Sequence, residues 1–179
     1  MTEGGGRLAS SPAAANVIVW AAVDDEVEAL LTPQVEWVQI WNAGVEHLLE
    51  TGALDAGPTW TAAKGVYADT IAEYCLAAML AGARDLPRTA RTPRWDPREA
   101  ALVRGATVGI VGCGGIGQAL LGLLAPFETT TLALTRSGRD VPGAAESLGP
   151  DGLDRLLAAS DHVVLAAPLT AETEHLLDV

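Results

Sequence analysis

In the first half of the chain, short runs of apolar residues alternate with segments in which apolar residues recur every three or four positions. Runs of about four to eight apolar residues bounded by turn residues are typical of buried strands. They predict strands at Asn16–Ala22, Val35–Ile40 and Thr59–Ala63. Apolar residues that recur three or four positions apart predict helices. The helices predicted here are Asp24–Leu31, Glu46–Thr51 and Asp69–Arg84, of which the last is the longest.

From Ala106 onward the pattern becomes a regular alternation of strand and helix. The apolar runs predict strands at Thr107–Val111, Thr130–Thr135 and His162–Ala167. The helical spacing predicts helices at Ile116–Ala125 and Leu153–Ala159. Strands that alternate with helices of this length form parallel sheets with right-handed crossovers. The sequence therefore predicts an α/β fold.

Composition and charge narrow the class of protein further. Of the 179 residues 49% are hydrophobic and 19% are charged, which is ordinary for a globular protein and excludes a disordered one. The net charge of −12 argues against nucleic acid as a partner, because phosphate binding needs clustered cations. No apolar stretch is long enough to span a bilayer, so we expect no membrane partner.

The cysteines and the first residues bear on the compartment. Cys75 and Cys113 lie in apolar runs and have neither metal-ligand spacing nor a disulfide framework, which is typical of a reducing environment. The first fifteen residues lack the apolar core of a secretory signal. We therefore expect a cytoplasmic protein without a bound metal.

The strongest chemical motif is the glycine-rich turn Gly112–Gly117, which reads GCGGIG. It follows an apolar strand directly and opens an amphipathic helix, as the fingerprint of dinucleotide-binding sheets requires. Gly112 permits the tight turn, Gly114 lets the backbone approach a diphosphate, and Gly117 lets the helix pack on the sheet. N–H groups at the start of the helix donate to phosphate oxygens. We predict a nicotinamide dinucleotide site, and the alternative is a glycine-rich turn without a ligand.

The residue that distinguishes NAD from NADP lies about twenty residues further on, at the end of the next strand. An acidic residue there binds the ribose hydroxyls of NAD, but this chain has Thr135-Arg136-Ser137. A guanidinium at Arg136, with Ser137 beside it, can pair with a 2′-phosphate, which favours NADP over NAD. The alternative is that Arg136 stacks on the adenine, which fits either cofactor.

Longer stretches of the chain resemble the D-isomer-specific 2-hydroxy acid dehydrogenases of the glyoxylate or hydroxypyruvate reductase type. The stretches are NAGVE at 42–46, IAEYCLAAMLAGAR at 71–84, the GCGGIG turn, and PLTAET at 168–173. The resemblance covers roughly residues 17–179. It implies an incomplete Rossmann-type parallel sheet preceded by part of a flavodoxin-like substrate domain. We expect a flexible tail at 1–15, a partial substrate domain with its interdomain helix at 16–84, a connector at 85–105, and the first part of a dinucleotide-binding domain at 106–179.

The resemblance also implies which residues face the cofactor and the substrate. The cofactor residues it implies, besides Arg136 and Ser137, are Gly112, Gly114, Gly115, Ile116, Gly117, Ala167, Pro168 and Thr173. The backbone of Ala43, Gly44 and Val45 would hold a substrate carboxylate, while Trp41 and Tyr67 would line the pocket. Other interpretations stay open, since Trp41 could be core, Tyr67 could close a loop, and Pro168 could only end a strand.

The chain also departs from the family. In the family, an arginine clamps the substrate carboxylate, and a histidine oriented by a glutamate protonates the carbonyl oxygen. The sequence ends before any of these, and His47, His162 and His175 do not match the catalytic position. Phe127-Glu128 stands where the family usually has Phe-Gly. We expect a partial member of the family, inactive in these 179 residues alone.

These observations favour one function over two others. The leading hypothesis is an NAD(P)-dependent oxidoreductase that, in the complete parent, transfers a hydride between nicotinamide and a small 2-hydroxy or 2-keto acid. NADP is the preferred cofactor, and a homodimer is expected. The alternative is a non-catalytic nucleotide-binding or interaction module. A methyltransferase that uses S-adenosylmethionine is disfavoured, because Arg136 stands where that class needs a carboxylate.

Overall fold

A computed structural model of the chain describes residues 5–21, 27–55, 57–94 and 99–177. The chain divides into two compact units, Met1–Gly65 and Val66–Val179, called here the amino-terminal and the carboxy-terminal unit. The predicted tail and the predicted helix Asp24–Leu31 lie partly outside the described residues. In the described part of that helix, Val27–Leu30 forms a 3-10 helix.

Three short parallel strands form the sheet of the amino-terminal unit, and all lie within the predicted ranges. They are β1 (Val17–Trp20), β2 (Trp37–Ile40) and β3 (Thr59–Ala62), with β2 in the centre. A short helix, α1 (Glu46–Glu50), follows β2. The buried side chains of β2, Val38 and Ile40, are the centre of an apolar cluster that the loops and α1 complete. Because β2 is central, the loop that follows it lies between the ends of two neighbouring strands.

A four-stranded parallel sheet is the centre of the carboxy-terminal unit. Its strands are β4 (Thr107–Val111), β5 (Thr130–Leu134), β6 (Glu146–Leu148) and β7 (His162–Leu165). They lie in the order β6-β5-β4-β7, so the first strand along the chain lies between the second and the fourth. In open α/β sheets dinucleotides bind at the point where the strand order reverses, outside the carboxyl ends of the strands. The carboxyl ends of β4 and β7 lie where this rule expects a site in such a sheet. The predicted Rossmann-type fold is confirmed.

Helices cover both faces of this sheet. α2 (Ala68–Ala83) and α4 (Gly115–Leu124) pack on the face of β4 that carries Val108 and Ile110. The other face meets α5 (Leu153–Ala159), whose Leu156 packs among apolar side chains of β4 and β5. Gly109 on β4 allows α5 to approach this face of the sheet closely. A Cβ at Gly109 would lie 2.4 Å from Leu156 Cδ2, so α5 lies directly on the backbone of β4.

The connection from β5 to β6 contains no helix, and β6 itself is a strand that the sequence analysis does not predict. β6 has only three residues, Glu-Ser-Leu, and its strand character comes from pairing with β5, in which Leu132 lies opposite Glu146. The loop before it is anchored by Val141, whose side chain is buried in the same cluster as α2 and α4. A three-residue polar strand has no periodicity of its own to detect.

Two other features depart from a regular pattern. α3 (Leu86–Thr89) forms within the predicted connector. Glu128, at the position where glycine was expected, has a left-handed φ of 54°. Its carboxylate lies 2.6 Å from Nη1 of Arg104, and this hydrogen-bonded ion pair lowers the pKa of Glu128 and raises that of Arg104. Among the described helices, none has the length and apolar character to cross a membrane.

Candidate functional site

The turn from β4 into α4 is built around Gly112. Its φ is +90°, a backbone conformation that residues with a Cβ rarely adopt. A Cβ at this position would lie 2.5 Å from the backbone nitrogen and 2.6 Å from the Cα of Ala167. The N–H of Ala166 donates to the carbonyl of Val111 at 2.8 Å, which continues the pairing of β4 and β7 up to the turn. The structure therefore brings the glycine turn and the end of β7 together.

The other two glycines of the fingerprint have different surroundings. A Cβ at Gly117 would lie 2.9 Å from the carbonyl oxygen of Gly112, so glycine lets α4 begin against the turn. Gly114 is exposed, has a φ of −83°, and has no atom within 4 Å of where a Cβ would stand. Open space at Gly114 is the geometry that a closely approaching diphosphate needs.

The start of α4 offers hydrogen-bond donors to that space. α4 begins at Gly115, and no side chain of the described residues caps it. The first N–H groups of a helix have no partner within the helix, and the helix dipole makes this end positive. Gly115 is exposed, Ile116 is half-buried and Gly117 is buried. This end of α4 can accommodate an anion without competing with a side chain.

The loop after β5 presents Arg136 and Ser137 to solvent. They are the two central residues of a turn closed by a hydrogen bond from the N–H of Gly138 to the carbonyl of Thr135, at 3.1 Å. With the residues that the structure describes, neither side chain forms a hydrogen bond or an ion pair. Thr135 is buried, and its hydroxyl also lacks a hydrogen-bond partner among the described residues.

Arg139, which the sequence analysis did not select, contacts the glycine turn directly. Its Nη2 donates to the carbonyl oxygen of Cys113 at 3.1 Å. Burial raises the pKa of the Cys113 thiol, and the positive charge of Arg139 opposes that shift in part. The sequence shows Arg139 only as the next cation after Arg136, and nothing local indicates its contact with Cys113, 26 positions away.

The segment after β7 carries the remaining predicted cofactor residues. Ala167 lies against Gly112, and Pro168 follows it on the surface. The hydroxyl of Thr173 donates to the carbonyl of Pro168 at 2.6 Å and accepts from the N–H of Thr170 at 2.8 Å. In this structure Thr173 thus closes the PLTAET loop, and its role toward a cofactor stays a prediction.

The predicted substrate residues come from both units. Trp41, Ala43, Gly44 and Val45 lie in the loop after β2, where the Asn42 side chain donates to the carbonyl of Gly44 at 3.0 Å. The carboxylate of Glu46 folds over Gly44, 2.8 Å from where a Cβ would stand. Trp41 is 47% exposed, so it is not a core residue of its unit. Tyr67 precedes α2 in the carboxy-terminal unit, and the grouping of these residues in one pocket stays a prediction.

The end of the sheet opposite the glycine turn has its own polar residues. His162 begins β7, and the carboxylate of Asp161 accepts a hydrogen bond from the N–H of Thr107 at 2.8 Å. This end of the sheet is separated from Gly112 by the length of β4. In the part of the chain that the structure describes, no group of three or more His, Cys, Asp or Glu residues could hold a metal ion.

A comparison with protein families matches residues 75–179 to the NAD-binding domain of the D-isomer specific 2-hydroxyacid dehydrogenases. Among curated proteins, a glyoxylate reductase of Thermofilum pendens is 30% identical over 156 residues, which is 82% of this chain and 46% of that protein. The chain spans about half the length of the curated relatives that it matches.

Solved structures agree in fold. A D-isomer specific 2-hydroxyacid dehydrogenase family protein of Aeromonas salmonicida is similar with a TM-score of 0.79 and 27% identity, over 93% of this chain and 54% of that one. A D-isomer specific 2-hydroxyacid dehydrogenase of Xanthobacter autotrophicus, crystallised with NADPH and MES, is similar with a TM-score of 0.74 and 26% identity. The match covers 95% of this chain and 55% of that one.

Proposed function

Because this chain belongs to the D-isomer specific 2-hydroxyacid dehydrogenases, we propose that the complete protein reduces a small 2-keto acid of the glyoxylate or hydroxypyruvate type. NADPH is the proposed cofactor. The observation that carries the proposal is the glycine turn at the strand-order reversal, with open space at Gly114 and an uncapped helix beyond it. When bound there, a nicotinamide dinucleotide supplies the hydride donor or acceptor.

The residues of the turn fit the diphosphate of such a cofactor. Gly114 leaves open space for the phosphates, and the N–H groups of Gly115, Ile116 and Gly117 at the uncapped start of α4 would donate to them. Gly112 holds the turn against Ala167, so the end of β7 forms the other wall of the crevice. We assign Ala167 and Pro168 to the ribose and nicotinamide side of the cofactor, and Thr173 to the loop that closes over it.

The preference for NADP rests on the loop after β5. The chain has Thr135 and Arg136 where an NAD-binding sheet has an acidic residue, so that position carries no carboxylate to repel a 2′-phosphate. The guanidinium of Arg136 is exposed and pairs with no other described residue, which leaves it available to a phosphate. Ser137, beside it in the same turn, adds a hydroxyl donor. The relative from Xanthobacter autotrophicus was crystallised with NADPH, which agrees with this choice.

For the substrate we propose the loop after β2. The backbone N–H groups of Ala43, Gly44 and Val45 would hold the carboxylate of a 2-keto acid, and Trp41 in the same loop would border it. Glu46 now lies over Gly44, so a bound carboxylate would displace the Glu46 side chain. We do not assign proton transfer to His162, because it lies at the end of β7 opposite to the glycine turn. The proton donor is proposed to lie outside this sequence.

Cofactor binding tests the first half of the proposal. The chain is titrated with NADPH, NADH and S-adenosylmethionine by calorimetry, and we expect binding of both dinucleotides, with NADPH tighter, and none of S-adenosylmethionine. Gly114→Val fills the open space and should weaken both dinucleotides at least tenfold. Gly122→Val is the matched control, because Gly122 on α4 also has no atom within 4 Å of a Cβ. A chain that binds neither dinucleotide contradicts the proposal.

Turnover tests the second half. The protein as produced in its source cells is purified and assayed for NADPH oxidation with glyoxylate and with hydroxypyruvate. Oxidation that depends on either acid supports the reductase. Tight NADPH binding without turnover of any 2-keto acid would instead support the non-catalytic nucleotide-binding module. The oligomeric state of the active species, expected to be a homodimer, is measured in the same preparation by light scattering.

A further inference from the structure

The glycine turn leaves the charge of a bound diphosphate only partly compensated. A dinucleotide carries two negative charges on its diphosphate, whereas the end of a helix provides about half a positive charge. Neither the turn nor α4, which reads GIGQALLGLL, contains a charged side chain. Any side-chain cation that compensates the rest has to come from another part of the chain.

Arg139 is the cation that the fold brings to the turn. Its Nη2 lies 3.1 Å from the carbonyl oxygen of Cys113, the residue before Gly114. A guanidinium has five N–H donors, so this bond leaves most of them free. The Arg139 side chain is exposed, and it forms no ion pair with any described carboxylate.

The backbone around Arg139 is held in place, which fixes where its side chain starts. The N–H of Val141 donates to the hydroxyl of Ser147 on β6 at 2.9 Å, and the Val141 side chain is buried in the core. The hydroxyl of Ser147 also donates to the carboxylate of Asp140 at 3.4 Å, so the acidic side chain that follows Arg139 in the sequence is bound on the β6 side. The loop therefore presents Arg139, and not Asp140, to the glycine turn.

We propose that Arg139 supplies the positive charge that pairs with the diphosphate of the cofactor. This rests on the proposed function, since it assigns a further binding residue to the same site. Arg139 is distinguished from Arg136 by what it reads: Arg139 contacts a group that NAD and NADP share, whereas Arg136 contacts the 2′-phosphate of NADP alone. The hydrogen bond to Cys113 holds the guanidinium beside the turn before the cofactor arrives.

The test compares conservative variants of the two arginines. Arg139→Gln removes the charge and keeps a shorter polar side chain, Arg139→Lys keeps the charge, and Arg136→Gln is the matched control. Dissociation constants are measured by calorimetry for NADH, NADPH and adenosine. We expect Arg139→Gln to weaken NADH and NADPH by the same factor, on the order of tenfold to a hundredfold, with adenosine unchanged. Arg139→Lys should lose less than Arg139→Gln, and Arg136→Gln should weaken NADPH alone.

Three results would overturn the inference. In the first, Arg139→Gln binds both dinucleotides as tightly as the unchanged chain. In the second, it loses affinity for NADPH alone, which would mean that Arg139 binds the 2′-phosphate. In the third, it loses affinity for adenosine by the same factor, which would mean a structural role. Unfolding midpoints of each variant accompany the titrations. Failure of the unchanged chain to bind NADH or NADPH would count against the proposed function itself, and it is observed before any variant is compared.

Discussion

We predict that replacing Gly112 by alanine lowers the free energy of unfolding for two reasons, both at the glycine turn. The first is backbone strain, because φ is +90°, and a left-handed conformation costs an L-residue about 1–2 kcal/mol. The second is the contact of the new Cβ with the backbone of Ala167, 2.5 Å away. A backbone atom cannot move aside as a flexible side chain can, so β7 must shift, and such overpacking costs about 1–3 kcal/mol. The total is about 2–5 kcal/mol.

Gly143→Ala is the matched control for this experiment. Gly143 has a φ of +89°, nearly the same as that of Gly112, but no atom lies within 4 Å of its Cβ position. It should therefore show the strain alone, about 1–2 kcal/mol. At about 4 °C per kcal/mol for a unit of this size, thermal midpoints should fall by roughly 4–8 °C for Gly143→Ala and roughly 8–20 °C for Gly112→Ala.

The assay is thermal and urea unfolding followed by circular dichroism at 222 nm. The urea slope should be the same for both variants, so that the midpoints can be compared as free energies of unfolding. Equal midpoints for Gly112→Ala and Gly143→Ala would refute the reasoning, because the backbone contact between the turn and the end of β7 would then contribute nothing.

Three further predictions concern single side chains. Thr135→Val should raise the free energy of unfolding by about 1 kcal/mol, since it removes a buried hydroxyl that has no partner among the described residues; a lower urea midpoint would contradict this. Cys113 should react with iodoacetamide more slowly than the half-buried Cys75 at pH 8, because burial raises the pKa of the Cys113 thiol; mass spectrometry of the labelled peptides measures the two rates, and faster labelling of Cys113 would count against it. The thermal midpoint of Glu128→Gly should rise relative to that of the unchanged chain as the pH falls from 7 to 3. Arg104 lowers the pKa of Glu128, so the ion pair stabilises the fold above the ordinary carboxyl pKa and is lost as the pH falls through the lowered one. A difference in thermal midpoint that does not change with pH would rule this out.

The sequence was sufficient where a signal is local. The GCGGIG motif predicts its own backbone conformation. A positive φ was expected at Gly112 and a close backbone contact at Gly117, and the structure shows both. The runs VGIV in β4 and LAL in β5 likewise mark these strands, since a strand buried on both faces has consecutive apolar residues.

What the sequence could not provide depends on contacts between distant residues. β6 is a strand only because β5 lies beside it, and Arg139 meets Cys113 across 26 positions of sequence. The hydroxyl of Thr173 offers no sign in the sequence that it closes a loop at Pro168. The roles predicted for Trp41, Gly44 and Tyr67 depend on a pocket that spacing alone does not build, and they stay predictions.

The close contact between Gly112 and the end of β7 has a consequence for biosynthesis. Ala167 follows Gly112 by 55 positions in the sequence. At about 5–20 residues per second, the ribosome adds those residues in roughly 3–11 s. For most of that interval, after Leu124 and before His162 are added, the growing chain contains the glycine turn and α4 but not β7, the strand whose end lies against Gly112. A nascent chain arrested before β7 should therefore fail to retain a dinucleotide that the released chain binds.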